Sequence, residues 1–355
     1  MALKAQFYKH TLNFSFDAGT SRGVLKKKDS YFIKIFKKDN PEAFGLGEAG
    51  PLFGLSPDYG ESASDKLNSI ANVINSGDFE DLESLKLGLE EYPSVLFALE
   101  SSILDFENGG KREIFKTSFY NSSEKIDING LVWMGTPDFM QKQIVEKLEN
   151  GFDTIKLKIG AIDFDEELKL LAFIRKQFSK DKITIRVDAN GAFLPSEAVE
   201  KLKKLSEFNI HSIEQPIKDG QVEFMAELCE KNIIPIALDE ELIKNSGKEK
   251  NLLETIKPQF IILKPSLMGG ISGSLKWIQT AESLDIKWWM TSALESNIGL
   301  NAICQLASQL KNPLPQGLGT GKLFTNNFES PLTVKSGQIF YDANKKWELD
   351  FFKSN

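Results

Sequence analysis

Histidine and cysteine are almost missing from this chain. There are two of each in 355 residues: His10, His211, Cys229 and Cys304. So few histidines all but exclude a histidine-rich metal centre, an H-E-x-x-H protease and a histidine-based triad. Two cysteines make neither a disulfide framework nor a zinc site. Long apolar runs are missing too, since none approaches the roughly 18 residues needed to span a bilayer. The opening MALKAQFYKHTLNF has no apolar centre of the signal-peptide kind, which predicts a cytoplasmic protein with no membrane partner. Positive charge is in deficit, with 43 Lys and Arg against 50 Asp and Glu, a net charge of −7. That balance argues against nucleic acid as the main partner. Any acid–base chemistry therefore falls to Lys, Asp, Glu or Tyr.

What is present is enough for a large core. Hydrophobic residues make up 41% of the chain and charged residues 26%, and the length allows two domains, or one barrel with an appendage. AQFYKHTLNFSF and DSYFIKIF read as strands joined by a polar SRGVLKKKD turn, and SASDKLNSIANVINS and SVLFALESSILDF read as helices. Strands followed by helices predict a small α+β domain over residues 1–115. From about Ile126 short apolar strands alternate with amphipathic helices: INGLVWM, TIKLKIG, ITIRVDANG, HSIEQPI, IPIALDEEL, QFIILKPS, KWWMTSALES and a short one near QGLGTG. Alternation of this kind means a parallel sheet with right-handed crossovers, and eight strands fit a closed barrel over 116–322. An open doubly wound sheet is the competing fold. In the remaining 323–355, TVKSGQIFYD and KWELDFF read as strands returning to the first domain.

The chemistry is announced by where charge falls. Lys158, Asp188, Glu214, Asp239 and Lys264 stand near the C-terminal ends of successive strands, at spacings of 30, 26, 25 and 25 residues. That is the length of one strand-plus-helix unit, so each group occupies the same station, and in a barrel those stations converge on the catalytic face. A charge at an apolar strand end is costly unless it is paired or bound to metal. Carboxylates from three adjacent strands make the hard-oxygen set that Mg2+ prefers. Strand parity puts Lys156 on the face of Lys158, with Ile155, Leu157 and Ile159 toward the helices. Asn190 shares the face of Asp188, whereas His211 faces away from Glu214 and reads as a packed or surface histidine. If Lys158 ends the second strand and Lys264 the sixth, the two lysines approach a bound substrate from opposite sides. This suits removal of a proton α to a carboxylate, with Mg2+ stabilising the enediolate. Lysine ordinarily titrates near about 10.4, so such a base needs its pKa lowered by Lys156, by the metal and by burial.

The ordered motifs KLK (156–158), VDAN (187–190), IEQP (213–216), LDE (238–240) and ILKP (262–265) resemble those of the enolase superfamily, muconate cycloisomerase subgroup. Sites of that superfamily pair a Lys or His base with Mg2+. Within the subgroup, LKPSLMGG, TSALESNIGL and QGLGTG are most similar to the o-succinylbenzoate synthase branch. The resemblance implies a (β/α)7β-type TIM barrel with an N-terminal α+β capping domain, in which GEAGPLFG (47–54) is a mobile loop. It implies Asp188, Glu214 and Asp239 as metal ligands for Mg2+, for which Mn2+ can substitute. It further implies Lys158 as general base, Lys264 as the opposing positive charge, and a small carboxylate substrate dehydrated in menaquinone biosynthesis. Lys156, Asn190, Ser266, Ser292 and Glu295 are the candidate substrate contacts. Dipeptide epimerases of the subgroup carry an Asp-x-Asp near the last strand, and GLGTGKLF has none. An N-acylamino acid racemase or dipeptide epimerase using the same residues is the alternative, and an inactive metal-binding scaffold is the remoter one.

Each motif alone has a plain structural reading: a Lys-x-Lys on a solvated strand edge, or a carboxylate capping a turn. The ordered series at repeat spacing is what outweighs it. Glu240 is equally a neighbour of the metal site or a helix cap, and Ser296 and Asn297 read as a helix start. Gly45, Gly47 and Gly50 spell G-x-G-x-x-G, but Pro51 and a turn-rich stretch follow where a dinucleotide site needs a helix. The Lys26–Lys28 run reads as a solvated loop. Cys229 and Cys304 read as core, and one of Trp288 and Trp289 as facing the helices.

Overall fold

The protein is described from a computed structural model over residues 2–20 and 23–353. The chain opens with β1 (Leu3–Thr20) and β2 (Gly23–Lys37), a long antiparallel pair, and β3 (Asn40–Ala49) adds to the other side of β2. Helices α1 (Glu61–Ser76) and α2 (Pro93–Glu107) cover one face of this sheet. The period of two in β2 explains how: Ile33 and Ile35 join Leu67, Ile70, Val95 and Leu99 under the helices, while Phe32 points the other way. The expected turn at SRGVLKKKD is shorter than the sequence suggests. Gly23–Asp29 already belong to β2, Ser21 and Arg22 lie outside the described residues, and Lys28 is buried at 5% exposure while Lys26 and Lys27 are exposed.

GEAGPLFG is not wholly a loop, because its first three residues end β3. Gly45 and Gly47 are there because α2 crosses the strand at backbone distance. A Cβ on Gly45 would lie 2.0 Å from the Ser102 carbonyl oxygen, and one on Gly47 would lie 1.8 Å from that of Ala98. The glycine spacing thus serves helix–strand packing and makes no phosphate cradle.

The second half begins with β4 (Lys125–Asp127) and then runs β5 (Gly130–Val132), α3 (Pro137–Glu149), β6 (Thr154–Lys158), α4 (Phe164–Gln177), β7 (Thr184–Asp188), α5 (Pro195–Ser206), β8 (Ser212–Glu214) and α6 (Val222–Lys231). It continues with β9 (Ile236–Leu238), α7 (Glu240–Ile243), α8 (Glu249–Ile256), β10 (Phe260–Leu263), α9 (Gly270–Ser283), β11 (Lys287–Met290) and α10 (Asn297–Leu310). Strands β5 to β11 form one parallel sheet in sequence order. The ring closes without a regular eighth strand: Gln316 bridges to Ile128 and Gly317 to Thr291, both in parallel sense. This is a (β/α)7β barrel, with an antiparallel α+β cap built from the N-terminal part of the chain. Proline at the first turn of α2, α3 and α5 presets the backbone where no N–H is needed, and Asp163 caps α4 by accepting from Asp165 and Glu166 N–H.

The C-terminal stretch divides. β12 (Leu332–Lys335) and β13 (Gln338–Tyr341) form a hairpin that pairs with β4. KWELDFF, by contrast, is no strand; it ends in a 3-10 turn at Asp350–Phe352. Phe352 is buried there against Tyr8 and Phe32, and its carbonyl accepts from Tyr8 Oη and Lys34 Nζ. Aromatic clustering, with no strand pairing, holds this segment. Trp288 turns outward to Glu282 on α9, whereas Trp289 faces the barrel floor beneath the Arg186 guanidinium at 4.0 Å. Cys229 and Cys304 are free and buried. Among the described residues no helix is long and apolar enough to cross a membrane.

Candidate active site

The parallel register lines up the charged residues. Lys158 on β6 is level with Asp188 on β7, which is level with Glu214 on β8. Asp239 follows β9 directly and Lys264 follows β10. Lys156, Lys158, Asp188, Asn190, Glu214, Lys264 and Ser292 all line one cavity of about 770 Å3, which extends from the strand ends to Gly151 and Lys335 at the other end of β6. The cap contributes its other wall through Phe16, Leu25, Leu52 and Phe53.

The carboxylates and lysines interlock. Lys156 Nζ donates to Glu214 Oε2 and lies 2.9 Å from Asp188 Oδ2. Lys158 Nζ donates to Asp188 Oδ2 at 2.8 Å and to Asn190 Oδ1 at 2.6 Å. Lys264 Nζ donates to Asp239 Oδ2. Unpaired negative charge is the expectation for three converging carboxylates, but here lysine ammoniums offset it. Burial alone would raise the Asp188 carboxyl, yet Lys156 and Lys158 outweigh that and hold it well below the usual carboxylate range. Asp239 is held low in the same way, Lys264 outweighing burial. Glu214 goes the other way: burial, with Asp188 and Asp239 alongside, pushes its carboxyl well above the ordinary value.

Two oxygens in this group stand out. Glu214 Oε1 and Asp239 Oδ1 are buried and accept no hydrogen bond from a lysine, amide or hydroxyl, so only a proton held on Glu214 can satisfy the pair, where burial makes an open oxygen expensive. Among the described residues no three acidic, histidine or cysteine side chains are gathered closely enough to grip an ion as they stand, with the Lys156 ammonium between Asp188 and Glu214. The donor chemistry nonetheless fits a hard divalent cation: carboxylate oxygens only, two of them open, and a raised Glu214 that a cation would bring down.

The backbone around these ligands is unusual. Asn190 has φ 44° and Gln215 φ 39°, left-handed values that side chains seldom adopt. Each is over-determined by its surroundings. Asn190 N–H donates to Asp188 Oδ1 at 3.0 Å and its amide to Glu240 Oε1 at 2.9 Å. Gln215 Oε1 accepts from the N–H of Asp239 and of Glu241, tying the end of β8 to the end of β9. Gln215 was visible in the sequence as part of IEQP, but nothing about a glutamine at that place signalled the tie. Glu240 is a neighbour of the site through Asn190.

The remaining candidates separate. Ser292 lines the cavity, whereas Ser266 and Glu295 are fully buried and are not among its lining residues. Glu295 instead accepts from Ser266 Oγ and, at 2.6 Å, from Ser292 Oγ, clasping the segments that follow β10 and β11. Ser296 caps α10. His211 lies at the floor beside Phe260 and Trp289, away from the carboxylates.

Comparison with known proteins sharpens this. A family model described as enolase C-terminal domain-like matches residues 140–345. An o-succinylbenzoate synthase of Desulfotalea psychrophila is 42% identical over 365 aligned positions, covering 95% of this chain and 98% of that one. A crystal structure of MenC from the same organism matches with a TM-score of 0.84 at 38% identity, over 96% of this chain and 100% of that chain. A hydrophobic dipeptide epimerase of Enterococcus faecalis is more distant, 26% identical over 304 positions and 82% of each chain.

Proposed function

The chain belongs to the enolase superfamily, and from that premise we propose that it dehydrates 2-succinyl-6-hydroxy-2,4-cyclohexadiene-1-carboxylate to o-succinylbenzoate in menaquinone biosynthesis. The observation that carries this reading is a cavity lined jointly by Lys158, Asp188, Glu214 and Lys264, in a chain 42% identical to an o-succinylbenzoate synthase over nearly its whole length. The lower identity to epimerases disfavours the racemase and epimerase alternatives. The intact set of carboxylates and lysines speaks against an inactive scaffold.

Lys158 Nζ, aimed by Asn190 and Asp188, removes the proton α to the substrate carboxylate, and the electron pair moves into that carboxylate as an enediolate. Lys264, on the far side, stabilises the developing charge through its ammonium. As the electrons return, the C–O bond to the ring hydroxyl breaks. Lys158 hands its proton to the departing oxygen, so water leaves and the ring becomes aromatic. One lysine thus serves both proton transfers on one face. Asp188, Glu214 and Asp239 would hold Mg2+, or Mn2+ in its place, which when bound supplies Lewis-acid stabilisation of the carboxylate oxygens. Lys156 supplies charge beside Asp188 and Glu214, and Ser292 contacts substrate. Glu295, with Ser266, fixes where Ser292 points. A cytoplasmic location is compatible with the free state of Cys229 and Cys304.

Incubating the purified protein and Mg2+ with the cyclohexadiene substrate, and separately with N-succinyl amino acids, tests the reading. Aromatic product forms rapidly while racemisation is slow or absent. Efficient racemisation with little dehydration would overturn it.

A further inference from the structure

The barrel closes at Gln316 and Gly317, and the next residues carry the chain across the cavity toward the cap. That crossing is pinned at both ends. Leu318 and Leu323 are buried, Leu323 N–H donates to the Thr320 carbonyl, Asn327 holds the Gly321 carbonyl, and Ser15 N–H of β1 takes the Leu323 carbonyl at 2.8 Å. Between the pins stand Thr320 and Lys322, both lining the cavity. Thr320 is 7% exposed, and its hydroxyl is buried with no hydrogen-bond partner.

The cavity's lysines differ in what they face. Lys156, Lys158 and Lys264 are each engaged with the catalytic carboxylates, and Lys147 pairs with Glu146 at 3.0 Å. Lys335 lies beside Ser336, which abuts Gly151, at the opposite end of β6 from Lys158. Lys322 stands at the catalytic end, and its ammonium makes no ion pair or hydrogen bond among the described residues. Next to it the wall is apolar: Leu323 packs with Trp133 and Phe16, whose rings meet at 5.6 Å. An ammonium and an unsatisfied hydroxyl two residues apart, beside an apolar wall, make a place for an anion at the end of a short methylene arm.

We infer that Thr320 and Lys322 form the subsite for the remote carboxylate of the substrate's succinyl arm. The inference rests on the dehydration reading and deepens it by naming what selects the substrate. The ring and its own carboxylate sit among Lys158 and Lys264, the two methylenes of the arm run along Trp133 and Leu323, and the terminal carboxylate meets the Lys322 ammonium and the Thr320 hydroxyl. A ligand with an ammonium at that place is repelled by Lys322, so the subsite selects dianions over zwitterions.

Calorimetry on the Mg2+-supplemented protein with o-succinylbenzoate and with o-butanoylbenzoate, in which a methyl replaces the remote carboxylate, tests this. Wild type binds o-succinylbenzoate about tenfold or more tighter, the gain expected of a charge-assisted hydrogen-bonded contact. Lys322→Met abolishes most of that preference by weakening only o-succinylbenzoate, and raises KM for the dehydration more than it lowers kcat. Thr320→Val gives a smaller loss of the same kind. Higher salt narrows the preference in wild type and leaves Lys322→Met unchanged. Full preference retained in Lys322→Met, or equal weakening of both ligands, overturns the subsite while leaving the dehydration reading intact. A wild-type protein that neither binds o-succinylbenzoate nor makes it overturns the dehydration reading itself.

Discussion

Two sets of buried carboxylates, one in the cap and one in the barrel, have similar burial and opposite fates. In the cap, Glu48 on β3 accepts from Ser30 Oγ, from Ser296 N–H and Oγ, and from Gly299 N–H at 2.9 Å. Glu100 on α2 accepts from Ile271 and Ser272 N–H. Each of these carboxylates crosses to the barrel and caps the N-terminus of a helix there, α10 for Glu48 and α9 for Glu100, where partial positive charge awaits them. Both of their oxygens are satisfied. In the barrel, Glu214 and Asp239 each keep one oxygen that no lysine, amide or hydroxyl reaches. The difference teaches how to read a buried carboxylate. Satisfied oxygens mean that folding has used the charge; an open oxygen points to a ligand only where carboxylates converge, as Glu214 and Asp239 do at the strand ends, because Asp58 Oδ1 in the cap and Glu167 Oε2 beside the barrel are open as well.

Metal removal breaks this comparison most sharply. Chelation takes activity to background and Mg2+ or Mn2+ restores it. Added Mg2+ also raises thermal stability, by about 2.7 kcal/mol at a hundredfold excess over Kd. Full turnover in metal-stripped protein would mean that the open oxygens serve something else. Next in size is the base. Lys158→Ala lowers kcat by about 100- to 10,000-fold while the melting temperature stays close to wild type, because the residue works at a cavity wall. Near-normal turnover would remove Lys158 from the mechanism. Lys264→Arg retains measurable dehydration, since guanidinium keeps the charge but cannot act as a base. Complete loss in a folded Lys264→Arg protein would assign Lys264 a proton transfer.

The same contrast marks what the sequence could reveal. Lys158, Asp188, Glu214, Asp239 and Lys264 were legible because the βα unit repeats at nearly constant length, so equal spacing becomes equal position around the ring. β3 was illegible as a strand, since Gly45 and Gly47 look like loop until α2 is seen crossing them. Glu48 was illegible for a related reason: its partners Ser296 and Gly299 lie some 250 residues away. Glu295 reads from the sequence as a substrate contact, whereas in the fold it is fully buried outside the cavity lining and reaches Ser266 and Ser292 from behind. Long-range hydrogen bonds leave no periodic trace. Nor does pairing: Lys156 between Asp188 and Glu214 follows from register, which local pattern does not set.

A fourth prediction tests the cap side. Glu48→Gln keeps the shape but turns an amide toward N–H groups that need acceptors, leaving a buried helix terminus partly uncapped. Stability falls by about 2 to 3 kcal/mol in chemical denaturation, while kcat of the folded enzyme changes little and Mg2+ still stabilises it. A large loss of kcat at unchanged stability would show that Glu48 belongs with the catalytic carboxylates after all.

The smallest expected effect lies at the barrel floor. His211 is held below its ordinary pKa, at about 4, by burial first and then by the Arg186 and Lys287 charges. Its Nδ1 lies 3.0 Å from Ser212 Oγ, and its ring packs on Phe260. The folded protein therefore prefers the neutral ring, whereas the unfolded chain takes up a proton near its ordinary value of about 6.5. A depressed folded pKa gives stability that is fully present above about 6.5 and is lost as pH falls toward about 4. Because the ring is only partly enclosed, the loss is about 1 to 2 kcal/mol over that window. His211→Gln keeps a polar group beside Ser212 without a titrating ring, so its stability declines less steeply between those pH values. The check is the difference in unfolding free energy between the two proteins, followed from pH 7 down to pH 4. Carboxylates titrate in both and cancel in the difference. Parallel curves would show that His211 protonates as easily in the fold as out of it, and that the floor is wetter than its packing against Phe260 and Trp289 indicates.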